Sequence, residues 1–173
     1  GGRKEVAFAR SVSMPTYLVA LYIGELDFLE DNFDGVTLRI YTTKGKSARG
    51  RFAMAATKEI LAYMNEYFGV RYTLPKLDQV AVPPGLFGAM ENWGAIYYNE
   101  GRLLYDESEP SLRQRQRIYG LIAHEIAHMW FGDLVTMAWW DNLWLNEGFA
   151  NWMATKTAER FNPQWQPRLR TAL

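Results

Sequence analysis

His124-Glu125-Ile126-Ala127-His128 (HEIAH) is the stretch on which the reading of this chain turns. On an α-helix, residues four apart stand one above the other on the same face, about 6 Å apart, so His124 and His128 present two imidazoles to a single ion. Glu125 sits roughly 100° further round the helix. From there its carboxylate does not share the ligand direction but reaches a water held on the ion, the position a general base needs. Two imidazoles leave a zinc two ligands short, and a catalytic zinc takes one more protein ligand and one open position.

Composition narrows where the third ligand comes from. The chain has 173 residues, with 19 Lys+Arg against 19 Asp+Glu, two His and no Cys. Without cysteine there are no disulfides, thiolate zinc fingers, iron–sulfur clusters or cysteine nucleophiles, so a metal site must use His and carboxylates. Both histidines fall inside HEIAH. Downstream, residues 145–150 read LNEGFA, with eighteen residues between His128 and Glu147. That span ends one helix at Gly132, crosses a loop and starts a second helix facing back on the first. Glu147 is the expected third ligand.

The balanced charge argues against a nucleic-acid protein, whose footprint is a basic excess. A composition of 49% hydrophobic and 22% charged residues is that of a folded globule. No run of about 18 apolar residues marks a membrane span, and Arg3, Lys4, Glu5 and Arg10 interrupt the start, so no signal peptide is visible. The expectation is a soluble, cytoplasmic protein without nucleic-acid partners.

Outward from the motif, Ser108 is the expected N-cap of the helix carrying HEIAH, with Glu109 and Pro110 in its first turn and an end near Trp130. A last helix starts near Asp141 or Asn142 and stops before Asn162-Pro163. Upstream, Phe52, Ala56, Ile60, Tyr63, Met64, Tyr67 and Phe68 recur at helical steps and predict a helix over Arg51–Phe68, capped by Gly69. Strands are expected at residues 5–9, 16–23, 36–42, 77–82 and 93–98, with a turn at 31–35 and a glycine-rich loop, GLFGAMEN, at 85–92. Strands first and helices later is an α+β order, a mixed sheet packed on long helices. Trp130, Trp139, Trp140, Trp144 and Trp152 cluster around the two ligand helices and read first as packing between them, with a side-chain subsite as the sharper alternative. The run RQRQR at 113–117 reads as a solvated helix face.

HEIAHMWFGDLVT followed by NEGFA, together with GAMENWG at 88–94 and TYLVALYIGEL near the start, resembles the zinc metalloaminopeptidases of the aminopeptidase N type, within the zincins whose third ligand is Glu. The resemblance covers most of the chain. It implies a thermolysin-like zincin core at 35–173, truncated at its C-terminal side, preceded at 1–34 by the last strands of a β-rich domain. It implies one Zn2+ per chain on His124, His128 and Glu147, Glu125 as general base, and a peptide substrate with a free N-terminus. Glu91 is implied to bind the substrate's α-amino group, and Gly88, Ala89, Met90 and Asn92 to align the peptide beside the metal. An ammonium held at a fixed distance from the metal puts only the first peptide bond over the nucleophile. The family's oxyanion donor, a tyrosine beyond the last ligand helix, is expected outside this chain. The resemblance departs at Ala154, where the family often carries an acid behind a ligand; Asn151 or a backbone carbonyl is left to orient the histidines. Other readings stay open on the same residues: a catalytically silent peptide-binding fragment, a leukotriene-type epoxide hydrolase and a thermolysin-like endopeptidase.

Overall fold

The computed structural model describes residues 2–83 and 88–171; residues 85–87 of the expected glycine-rich loop lie outside them. Helix α1 (Arg51–Phe68) has the bounds that its apolar spacing predicts. Ala53, Ala56, Thr57, Ile60, Leu61 and Met64 form its buried stripe, and Gly69 closes it at φ +64°, a left-handed cap that a Cβ would oppose.

Among the described residues the sheet has five strands: β1 (Leu26–Phe33), β2 (Val36–Thr43), β3 (Lys76–Val82), β4 (Ala89–Met90) and β5 (Ala95–Asn99), in the order β1-β2-β3-β5-β4. The outer pairs are antiparallel and the inner pairs parallel. Buried and half-buried residues alternate along β2, so Val36, Leu38, Ile40 and Thr42 share one covered face. Helices α2 (Leu112–His128) and α3 (Leu143–Phe161) pack on each other, and α2 also on α1. Ile118, Ile122 and Ile126 of α2 and Ala150 and Met153 of α3 share one apolar cluster with Leu38, Ile60, Leu61 and Ile96. At about 1.5–3 kcal/mol for each fully buried Leu or Ile, that cluster holds α2 firmly against the sheet. The chain is therefore α+β, with a mixed sheet on long helices. A short helix, α4 (Pro167–Thr171), follows α3.

Several local expectations are corrected. Residues 5–9 carry no strand, and residues 16–23 hold only the 3-10 turn Thr16–Leu18. There Leu18 is buried while Val19, Leu21 and Ile23 are exposed, so the β-rich composition is not matched by pairing partners. The strand that does form, β1, takes in the first three residues of the expected turn, which narrows to Asp34 and Gly35, both at positive φ. The expected 34/35 division falls in this turn, between two strands of one sheet. The N-cap of α2 is Ser111, whose hydroxyl accepts the Gln114 N–H at 3.3 Å; Ser108 instead donates its hydroxyl to Asp106 at 2.6 Å. Of the five tryptophans, only Trp130 packs inside, donating Nε1–H to the Val70 carbonyl at 2.8 Å; Trp139, Trp140, Trp144 and Trp152 are exposed. The three arginines of residues 113–117 are solvated. Among the described residues no helix is long and apolar enough to cross a membrane.

Candidate metal centre

The last turn of α2 and the second turn of α3 meet at HEIAH. His124 Nε2 and His128 Nε2 lie 3.1 Å apart, and the Glu147 oxygens lie 3.4 Å from His124 Nε2 and 3.7 Å from His128 Nε2. A tetrahedral zinc with bonds of about 2.0–2.1 Å sets its donor atoms about 3.3–3.4 Å apart. The three separations bracket that value, so the donors fit such an ion without rearrangement.

Two of the three donors are shifted toward the charge state a ligand needs. Burial first, then the neighbouring His124, lowers the pKa of His128 and keeps the imidazole neutral. The contact with His124 lowers that of Glu147 and keeps it ionised. His128 Nδ1–H donates to the Phe131 carbonyl at 2.9 Å, which turns Nε2 toward the ion position. A backbone carbonyl thus takes the orienting role for His128, while Asn151 is exposed.

That carbonyl is in place because α2 stops at His128 and the chain folds back through Gly132 at φ +133°. Asp133 N–H donates to the His128 carbonyl at 3.0 Å and Gly132 N–H to Val135 at 2.8 Å. Phe131 then stacks on Phe149 of α3 with ring centroids 3.9 Å apart, and Asn146 donates to Met137 Sδ at 3.7 Å, tying the start of α3 to the loop after α2.

Glu125 lies behind the donors, 3% exposed, with Oε2 sealed and without a hydrogen-bond partner. Burial, followed by the charges of Glu91, Glu147 and Asp133, pushes its pKa far above the carboxylate range. Glu91 is buried too, and single donor atoms of Glu91, Glu125 and His128 all lie within 4.8 Å of one another. Buried carboxylates at this density repel one another unless a cation stands among them.

The structure brings Glu91 to the metal corner through the strand pair β4–β5. Ala89 and Met90 pair with Tyr98 and Tyr97, and Asn99 N–H donates to the Gly88 carbonyl at 2.9 Å. Among the described residues β4 is the outermost strand, and no described strand pairs with its other edge. Asn92 is buried and bonded to the N-terminal segment: its Nδ2 donates to the Leu18 carbonyl at 3.2 Å and its Oδ1 accepts from Tyr22 at 3.4 Å.

Three residues absent from the sequence reading border the site. Asp133 is 4% exposed with neither oxygen paired, and burial, then Glu91, pushes its pKa up to about 9. The Tyr17 hydroxyl is pushed up to about 12 by burial, then by Glu91, Asp133 and Glu147, which places it among these acids. Tyr98 of β5 is fully buried, and burial, then the charge of Glu125, raises the pKa of its hydroxyl well above the ordinary value. Asp133 had a signal, an acid directly after the motif's closing glycine; Tyr17 and Tyr98 had none.

The sequence profile of the Peptidase family M1 domain matches residues 52–173, more than half of the chain. The chain belongs to this family. Over 94% of its length it is 47% identical to Aminopeptidase M1-A of Oryza sativa subsp. japonica, and over 87% it is 49% identical to Aminopeptidase N of Acetobacter pasteurianus. Over 95% it is 45% identical to Probable aminopeptidase 2 of Sulfurisphaera tokodaii. The chain spans 19%, 43% and 21% of these three proteins respectively. The matched part of this M1 domain begins in the first turn of α1 and takes in β4, HEIAH and Glu147, so the whole candidate centre lies inside it.

Proposed function

We propose that this chain forms the catalytic core of a zinc-dependent aminopeptidase that releases N-terminal residues from peptides. One observation carries the reading: a donor triad of the right size for zinc, His124, His128 and Glu147, stands beside two further buried carboxylates, Glu125 and Glu91. The relatives named as aminopeptidases support it.

Bound at the triad, zinc supplies the Lewis acid that activates water and polarises the scissile carbonyl. Glu125 accepts the proton of the attacking water and passes it to the departing amine; burial and the neighbouring carboxylates raise its pKa, which strengthens it as a base. Glu91 holds the substrate's α-ammonium and thereby sets which bond lies over the nucleophile. The free edge of β4, from Gly88 through Ala89 and Met90, receives the peptide backbone as an added strand. Asn92 serves by anchoring this loop from behind. The division at 34/35, with a thermolysin-like core from residue 35, and a cytoplasmic location belong to the same proposal.

The test uses the full-length protein that carries this chain. One zinc per chain by metal analysis, turnover of an aminoacyl anilide, and loss of that turnover in Glu125→Gln are expected. Normal turnover in Glu125→Gln, or protein that takes up no zinc, overturns the reading.

A further inference from the structure

A cavity of about 810 Å³ opens beside His124 between α2 and α3, and among the described residues no Asp or Glu lines it. Two arginines do. Arg117 stands on α2 two turns before His124, and Arg102 ends the 3-10 turn Glu100–Arg102 that follows β5. Among the described residues neither guanidinium has an ion pair, although acids stand close to Arg102 in sequence. Glu100 is taken by Lys46 at 2.8 Å and Asp106 by Arg49 at 2.6 Å. The two cations remain available to a ligand.

Arg102 also borders the segment on which the peptide is proposed to lie. A Cβ at Gly88 would stand 3.5 Å from both Cδ and Nε of Arg102, so this side chain runs beside the start of that segment. Glu91 stands at its other end, three residues on, about 10 Å away along an extended chain. Opposite charges thus bracket residues 88–91, with Glu91 near the metal donors and Arg102 at Gly88. A short peptide has the matching polarity. With its α-ammonium on Glu91, its first bond falls by the donor triad and its second residue lies toward Gly88 and the cavity.

We propose that Arg102, together with Arg117, forms a subsite for a carboxylate carried by the second residue of the substrate. That carboxylate is the C-terminus of a dipeptide or an acidic side chain. The inference rests on the aminopeptidase reading given above and names its substrate class. A guanidinium presents two parallel N–H groups that match the two oxygens of a carboxylate, and Leu121 offers an apolar wall beside them.

The experiment compares three probes on the full-length protein: Ala-Ala, Ala-Ala amide and Ala-Glu amide. Calorimetry on the metal-free protein measures binding, and kcat/KM is measured with zinc bound. Ala-Ala, Ala-Glu amide or both are expected to bind about 10-fold more tightly than Ala-Ala amide, the worth of one charge-assisted contact. Preference for Ala-Ala alone assigns the subsite to a C-terminal carboxylate, and preference for Ala-Glu amide alone to a side chain. Arg102 is exposed, so substitution there leaves the core intact. Arg102→Met should reduce the preference to within about twofold, and Arg102→Lys should restore part of it. Equal binding of all three probes, or a preference that Arg102→Met leaves unchanged, overturns the inference. Failure to hydrolyse any of the three with zinc bound counts instead against the aminopeptidase reading itself.

Discussion

A Cβ added to Gly132 would stand 3.0 Å from Nδ1 of His128 and 3.4 Å from its carbonyl oxygen, on a backbone at φ +133°. The glycine is therefore what lets the chain turn back under His128 and deliver the Phe131 carbonyl to its ring.

Gly132→Ala must displace that ring or that carbonyl. The metal-free fold tolerates some adjustment, but the direction of Nε2 does not. Zinc affinity is expected to fall about 10- to 100-fold, the range seen when a ligand's orienting partner is lost. Competition with a chelating dye measures it; unchanged zinc affinity would show that the turn does not set the ligand.

Asp133 governs a pH dependence. Its carboxyl is held up to about 9 in the fold by burial and then Glu91, against about 3.9 in an unfolded chain. Between those values the folded protein keeps a proton that the unfolded chain has released. The group therefore stabilises the metal-free fold at low pH, and this contribution is lost as pH rises toward 9. Asp133→Asn has no proton to lose. Relative to wild type it should gain stability with rising pH, by about 1–3 kcal/mol at the alkaline end, where an unpaired buried charge is relieved. Urea midpoints of the two metal-free proteins across this range are the measurement, and a flat difference refutes it.

Asn92 holds the Glu91 loop from behind through Leu18 and Tyr22. Asn92→Ala leaves the buried Leu18 carbonyl unmet, at a cost of about 1–3 kcal/mol. Thermal melting should register that loss while zinc content stays at the wild-type level, because no ligand depends on this side chain. KM for free-amine substrates should rise several-fold as Glu91 loosens. Zinc lost in parallel with stability would mean that the loop and the metal triad are one unit.

How far the sequence carries depends on how local each cause is. Helix α1 was legible to the residue because one apolar stripe and one left-handed glycine determine it. HEIAH and Glu147 were legible because helical spacing fixes the geometry of two donors and the chain offers no other histidine. Strand β1 was obscured: LDFLEDNF lies at the sheet edge with all of its residues half-buried or exposed, so little alternation is imposed on it. Residues 16–23 misled in the opposite sense, since β-branched and aromatic content does not supply a pairing partner. Tyr17 stands more than 100 residues before HEIAH, and only the packed fold brings its hydroxyl among the acids of the site.

Two overlapping donor sets make metal removal the sharpest test of the centre. His124, His128 and Glu147 form one; Glu91, Glu125 and His128 form the other, and they share His128. The first offers two imidazoles and one carboxylate, and the shifts of His128 and Glu147 both favour the ligating form. In the second, burial and the neighbouring acids raise the pKa of Glu125, which disfavours the ionised form that a ligand needs. Zinc binding to the folded state alone stabilises it by about 4 kcal/mol at a free concentration a thousandfold above Kd. If the first set is the site, Glu147→Gln should abolish most of this zinc-dependent gain in melting temperature, whereas Glu91→Gln should retain it and lose affinity for free-amine substrates. The reverse pattern would move the ion to the Glu91 side and leave Glu125 a ligand, unable to serve as the base.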